Sequence, residues 1–169
     1  MENQHTHIFL IGFMGTGKST VAALLGRRLK RPVVEMDQSI VEQEGMEINE
    51  IFSRYGEEHF RDLETETLRR LNGKAPSIIS CGGGIVLRKE NIELMKVCGK
   101  IILLTATPET ILNRVKHDTS RPNLKGRMSV EGIRELMERR EAFYRAAAQQ
   151  VVVTDARTPD EVAKEIEEG

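Results

Sequence analysis

The chain has 169 residues, of which 39% are hydrophobic and 30% charged, and its formal net charge is −1. That length suits one domain with a sizeable core, and the even charge balance argues against a nucleic-acid footprint, which needs a basic excess on one face. No apolar run approaches the roughly 20 residues of a membrane span, and the polar start Met1-Glu2-Asn3-Gln4-His5-Thr6-His7 lacks the core of a signal peptide, so a cytoplasmic protein off the membrane is expected.

Cys81 and Cys98 are the only cysteines, too few for a disulfide framework or a zinc set. With no Trp and 4% aromatics, the core must be mainly aliphatic.

The first predicted element is a buried strand, Ile8-Phe9-Leu10-Ile11. Gly12-Phe13-Met14-Gly15-Thr16-Gly17-Lys18-Ser19 follows and fits G-x-x-x-x-G-K-[ST], the phosphate-binding loop. Val21, Leu24, Leu25 and Leu29 then recur on one helical face. A strand before and a helix after are the context that loop requires. Its glycines let successive N–H groups point inward at an anion, and the helix adds its positive dipole end. Gly15, Thr16, Gly17, Lys18, Ser19 and Thr20 are therefore nucleotide-binding candidates, with Lys18 on the β- and γ-phosphates and Ser19 on Mg²⁺.

Arg31-Pro32 breaks the helix, and Val33-Val34-Glu35-Met36 reads as a second strand ending at Asp37. Residues i and i+2 share a strand face, so Glu35 and Asp37 can both point beyond the carboxyl end of the sheet, where ligands of open α/β folds bind. One carboxylate can hold Mg²⁺ through water while the other takes a proton from a substrate hydroxyl. Asp37 as a helix N-cap is the competing reading, and both can hold.

Residues 38–71 read as helical, interrupted at Gly45 and Gly56. Ile48, Ile51, Phe52, Phe60, Leu63 and Leu68 mark their packed faces. Arg61 and Glu64, at i and i+3, meet on one face. They make either an exposed ion pair or a guanidinium fork for a substrate carboxylate, oriented by Glu64.

Pro76-Ser77-Ile78-Ile79-Ser80-Cys81 reads as a third strand with Gly82-Gly83-Gly84 at its end. The triplet is either a plain turn or a place where backbone approaches a ligand. Cys81 reads as a small buried residue rather than a nucleophile. A helix over residues 90–97 leads to a fourth strand, residues 100–105. Thr107 caps the next helix with Pro108 in its first turn, and that helix carries Arg114. Residues 117–127 form a polar, basic loop, either solvated surface or a lid carrying an arginine to the phosphates.

Ser129 caps a helix whose face runs through Ile133, Leu136, Met137 and Arg140, extended by Phe143 and Tyr144. Residues 150–154 form a fifth strand, and a last helix after Pro159 turns Val162 and Ile166 inward. Five strand–helix repeats predict a single three-layer α/β/α domain: a five-stranded parallel sheet with helices on both faces and right-handed crossovers.

Taken together, these motifs resemble the shikimate kinases, within the nucleoside-monophosphate-kinase-like group of P-loop folds. The likeness spans about residues 8–162. It rests on the phosphate-binding loop, on Glu35-Met36-Asp37 for the family's D-x-D, and on Gly45, Ile48, Ile51 and Phe52 for G-x-x-I-x-x-I-F. Gly56, Glu57, Phe60, Arg61 and Glu64 match G-E-x-x-F-R-x-x-E. The glycine triplet, Arg121-Pro122, and Arg140 with Tyr144 complete it.

The resemblance implies transfer of a phosphoryl group from ATP, with Mg²⁺, to the 3-hydroxyl of shikimate. It also implies a strand order of 2-3-1-4-5, a substrate-binding helical region at about residues 37–71, and a lid at about residues 117–128. By the same likeness, Arg61 and Arg140 clamp the substrate carboxylate. Asp37 and the backbone at Gly83 and Gly84 hold hydroxyls, Asp37 also accepts the proton of the attacking one, and Gly82 belongs to the same substrate-binding triplet. Phe52 and Phe60 wall the ring. Lys18 and Arg121 act on the phosphates, Arg114 and Arg157 lie by the adenine, and Ser19 and Glu35 serve the metal. A monomer is expected.

Three positions depart from the family pattern. Glu35 stands where Asp is usual, Ala142 where Pro is frequent, and Asn123 within a lid that commonly runs Arg-Pro-Leu-Leu. A related small-molecule kinase, such as one for gluconate, is the alternative, and the Arg61 and Arg140 pair with the glycine triplet discriminates against it. A catalytically silent nucleotide-binding module would have lost a site charge, whereas Lys18, Asp37, Arg61, Arg121 and Arg140 are all present.

Overall fold

The computed structural model describes residues 6–115 and 129–169. The expected lid, with Arg121, lies outside the described residues. Five parallel strands form one sheet: β1 (His7–Ile11), β2 (Val33–Glu35), β3 (Ile78–Ser80), β4 (Gly99–Thr105) and β5 (Gln150–Val153), in the order β2-β3-β1-β4-β5. The helices are α1 (Lys18–Leu29), α2 (Met36–Glu44), α3 (Ile48–Tyr55), α4 (Glu57–Leu71), α5 (Lys89–Cys98), α6 (Pro108–Val115), α7 (Val130–Ala147) and α8 (Pro159–Glu168). Both the parallel sheet and its order agree with expectation.

Alternation along the strands sends side chains into two cores. Phe9, Ile11, Ile79, Ile101 and Leu103 face one layer, built on α4, α5 and α7. Leu10, Ile78, Ile102, Leu104 and Val152 face the other, built on α1 and α8. Burial of both faces explains why β4 reads as an unbroken apolar run rather than an alternating one. A third, smaller cluster of Ile40, Ile51 and Phe60 binds α2, α3 and α4 to one another. At the base of the sheet, His7 Nδ1 accepts the Ser77 N–H at 3.0 Å, so Nε2 carries the proton and donates to the Leu71 carbonyl at 2.8 Å.

The second strand ends one residue sooner than the sequence suggests. Met36 is buried and opens α2, with Glu35 as the extended residue before it. Asp37 is thus neither a strand residue nor an N-cap. It sits in the first turn of α2, where the helix dipole favours a carboxylate. A short 3-10 turn, Ile85–Leu87, follows the glycine triplet and was not anticipated. On α7 the buried set is Ile133, Leu136, Arg140, Tyr144 and Ala147. Phe143, one step round from that stripe, is 43% exposed and does not extend the face.

Candidate active site

Both cavities that matter open at the carboxyl ends of the strands. The larger, about 800 Å³, runs along the phosphate-binding loop and reaches Glu35, Asp37, Gly82 and Gly83. Gly17 is the residue before α1 and takes a φ of 94°, which lets the loop turn directly into the helix. The loop wraps its own lysine: Lys18 Nζ donates to the carbonyls of Gly12 at 2.7 Å and Phe13 at 3.0 Å. Thr16 Oγ1 donates to Phe13 O at 2.8 Å and tightens the same turn.

At the far end of this cavity Arg114 joins two elements. It donates to Gly15 O at 3.0 Å and to Thr154 Oγ1 at 3.2 Å, tying the loop to the end of β5. Arg157 donates to Val153 O and to Glu165, which holds it against the start of α8. Asp155 accepts from the Thr107 N–H at 3.0 Å and from Thr110 Oγ1 at 2.6 Å. Partial burial raises its pKa, but these hydrogen bonds outweigh that and leave it below the ordinary value.

Ser19 Oγ donates to Glu35 Oε2 at 3.0 Å. This puts one hydroxyl and one carboxylate together on the cavity wall. Among the described residues no group of three or more His, Cys, Asp or Glu could hold a metal ion by itself. A hydroxyl beside a single carboxylate fits Mg²⁺, which keeps its waters and takes most of its ligands from phosphate oxygens.

The smaller cavity, about 360 Å³, lies among α2, α3, α4, α7 and the glycine triplet. The rings of Phe52 and Phe60 lie 5.0 Å apart, tilted by 41°, along its wall. Arg61 is 5% exposed, with Nη1 donating to Glu64 Oε1 at 2.8 Å and Nη2 to Glu57 Oε1 at 3.0 Å. Arg140 is 6% exposed and approaches the Phe13 ring at 6.0 Å. Tyr144, one turn along α7, donates to Gly83 O at 2.5 Å.

Three buried polar atoms around this cavity have no hydrogen-bond partner: Arg61 Nε, Arg140 Nη1 and Glu64 Oε2. Buried donors are nearly always satisfied, so two arginines with spare N–H capacity describe a place prepared for an anion. Burial pushes the Glu64 carboxyl up to about 7, with Arg61 pulling it back and Asp37 adding to the rise. Arg61 is raised even though burial works against its charge, because Glu64 and Glu57 stabilise it.

Asp37, Gln38, Gly82 and Gly83 line both cavities. The glycines let walls come close. A Cβ on Gly82 would lie 2.9 Å from Asp37 Oδ1 and 3.0 Å from Glu64 Oε2, and one on Gly84 would lie 2.2 Å from Arg61 Nη1.

A family model described as shikimate kinase matches residues 14–168. The chain belongs to the shikimate kinase family. A shikimate kinase of Geobacter sulfurreducens is 44% identical over 160 residues, covering 95% of this chain and 88% of the relative. One from Enterococcus faecalis is 42% identical, with 94% and 95% covered. Among solved structures, a shikimate kinase from Acinetobacter baumannii in complex with shikimate superposes with a TM-score of 0.92 at 30% identity, covering 97% of this chain and 92% of that one. The enzyme from Aquifex aeolicus gives 0.82 at 38% identity, with 95% and 94% covered. A gluconokinase from Sinorhizobium meliloti, at 16% identity and a TM-score of 0.60, covers 96% of this chain and 90% of that one, and shares the fold alone. As a member of the shikimate kinase family, the chain is an ATP-dependent phosphotransferase acting on an alcohol group of shikimate.

Most residues expected of a shikimate kinase site meet here: the loop residues 15–20, Glu35, Asp37, Gly82, Gly83, Arg114 and Arg157 on the larger cavity, and Phe52, Phe60, Arg61, Gly84 and Arg140 on the smaller. Sequence reasoning missed Met14, Gln38 and Thr154 as lining residues. Thr154 follows β5 directly, so the rule that ligands sit beyond strand carboxyl ends could have found it. Gln38 gave no such signal, because its position depends on where α2 begins. The exposed-pair alternative for Arg61 and Glu64 does not hold: both side chains are sealed under the glycine triplet.

Proposed function

We propose that the chain transfers the γ-phosphoryl group of ATP to the 3-hydroxyl of shikimate, with ATP in the larger cavity and shikimate in the smaller. The observation that carries this is the shared wall. Asp37 and Gly83 border both spaces, so a ring alcohol in one meets the end of a triphosphate in the other.

Arg61 and Arg140 grip the shikimate carboxylate through the N–H groups that the protein leaves unsatisfied. Phe52 and Phe60 cover the ring, and backbone N–H groups at Gly82, Gly83 and Gly84 bind hydroxyls. Asp37 takes the proton of the attacking hydroxyl. Backbone N–H groups of residues 15–20 cradle the phosphates and Lys18 neutralises them, while Arg114 and Arg157 flank the adenine. Phosphoryl transfer needs alignment and charge neutralisation more than covalent help, which suits a site built from guanidinium groups and backbone donors.

Ser19 and Glu35 are the residues to hold Mg²⁺, which neutralises phosphate charge when bound. Glu35 is one methylene longer than the usual Asp and still reaches Ser19. Arg121, outside the described residues, is the further residue assigned to the phosphates. The chain works as a monomer in the cytoplasm, away from membranes and nucleic acid. No helix among the described residues is long and apolar enough to cross a membrane.

The test is ADP release by purified protein with ATP and Mg²⁺, run with shikimate, with gluconate, and with neither. Release that depends on shikimate alone is expected. Equal release with gluconate overturns the assignment of the smaller cavity.

A further inference from the structure

Helix α4 presents two adjacent faces. Arg61 and Glu64 line the smaller cavity, and Glu57, one turn before Arg61, accepts from its guanidinium. Glu58, Asp62 and Thr65, each one residue further, turn toward α5. There Arg88 donates to Glu58 Oε1 at 2.6 Å and to Thr65 Oγ1 at 3.3 Å, and it pairs with Asp62 at 2.8 Å. Beneath this outer layer Thr65 Oγ1 lies 2.7 Å from Asn91 Oδ1, and Asn91 Nδ2 donates to the Ile85 carbonyl at 3.0 Å. Asn91 is 0% exposed and Thr65 3%. The amide is used at both ends: its oxygen accepts from α4 and its nitrogen donates to the 3-10 turn.

Ile85 directly follows Gly84, the residue packed against the Arg61 guanidinium. One buried amide therefore joins α4, which carries Arg61, to the turn that follows the glycine triplet. We propose that Asn91 and Thr65 are positioning residues for shikimate: they hold the Arg61 guanidinium in register with the backbone donors of the triplet, and Arg88 braces them from outside. The proposal rests on the smaller cavity being the shikimate site. Neither residue lines either of the two cavities described above, so their effect passes through the spacing of two walls. Displacements of about 1 Å are enough to spoil such a grip.

The test uses steady-state kinetics in both substrates, with calorimetric binding of shikimate and thermal melting on the same preparations. Thr65→Val keeps the shape and removes the hydroxyl. It is expected to raise the KM and Kd for shikimate about tenfold while the KM for ATP stays within about twofold. Thr65→Ser, which restores the hydroxyl, is expected to return shikimate binding to within about twofold of wild type. A role in stability alone would lower the melting temperature without separating the two KM values.

This clasp of Thr65 on Asn91 is overturned if Thr65→Val leaves the shikimate KM unchanged, or raises both KM values equally. Should Thr65→Val not fold, Arg88→Gln cuts the partly exposed outer layer without touching the core. An approximately threefold rise in shikimate KM then supports the clasp, and no change overturns it. Arg61→Lys run in parallel separates the two failures. An unaffected shikimate KM there sinks the site reading and the clasp with it; a raised one beside an unaffected Thr65→Val sinks the clasp alone.

Discussion

Arg61 and Glu64 form an ion pair that water barely reaches: Nη1 meets Oε1 at 2.8 Å, with side chains only 6% and 1% exposed. Glu64 keeps its second oxygen unpaired, and Asp37 lies across Gly82 from it. Burial, moderated by Arg61 and reinforced by Asp37, holds the Glu64 carboxyl at about 7. The unfolded chain would release that proton near pH 4.3, the ordinary value of about 4.3 for Glu. The native state therefore binds the extra proton between roughly pH 4.3 and 7. Its stabilising effect is full below that window and is lost as pH rises through the folded value. Glu64→Gln should flatten the slope, which is at most about 1.4 kcal/mol per pH unit, in urea unfolding measured from pH 5 to 8. An unchanged slope would show that Glu64 is not the group responsible.

The same pair predicts proton uptake on binding. A substrate carboxylate on Arg61 adds negative charge beside Glu64 and favours its protonated form. Shikimate affinity should then fall as pH rises through 7, by no more than about tenfold per unit. Calorimetric Kd values across that range should show the fall in wild type and its absence in Glu64→Gln.

Gly84→Ala should separate binding from folding. The added methyl meets the tip of the Arg61 side chain rather than backbone, and Gly84 has an ordinary φ of −99°. The guanidinium gives way and the fold survives. The shikimate KM should rise about tenfold or more, with ATP binding retained. Fluorescence titration with a nucleotide analogue, beside initial-rate kinetics in shikimate, checks both halves.

Gly12 and Gly17 should respond differently to alanine although both belong to the loop. At Gly12, φ is 147° and a Cβ would lie 2.4 Å from the Leu104 carbonyl oxygen, which the sheet cannot move. At Gly17, φ is 94° with open space around it. Thermal unfolding should show a loss of about 3 kcal/mol or more for Gly12→Ala and about 1 kcal/mol for Gly17→Ala. Equal losses would contradict the close approach of β4 to the loop.

Removing the Glu35 charge tests the metal assignment. Glu35→Gln keeps a hydrogen-bond acceptor for Ser19 but no longer attracts a cation. The Mg²⁺ concentration for half-maximal rate at fixed ATP should rise about tenfold, with the shikimate KM little changed. A Mg²⁺ titration indistinguishable from wild type would remove Glu35 from that role.

Local pattern alone determined much of this protein. The apolar strand, glycine loop and amphipathic helix at residues 8–29 are contiguous, so their chemistry can be read from neighbouring letters. The repeated strand–helix alternation likewise implies a parallel sheet, because parallel strands need crossovers. Strand order was legible only through likeness to a family, since periodicity says which face is apolar and not which strand lies beside which.

Tertiary structure decided the rest. Arg61 and Glu64 have the spacing of an ordinary surface pair, and only tertiary packing, with Gly82 against Glu64 and Gly84 against Arg61, makes them a buried one. Spacing puts Arg140 on the inner face of its helix, but only the packing of α7 sets it beside Gly83. Asn91 lies 26 positions from Thr65 in sequence, and their hydrogen bond exists only because α4 and α5 pack together. Charge and hydrogen-bonding capacity are written in each residue, but their strength depends on the solvent removed by segments far along the chain.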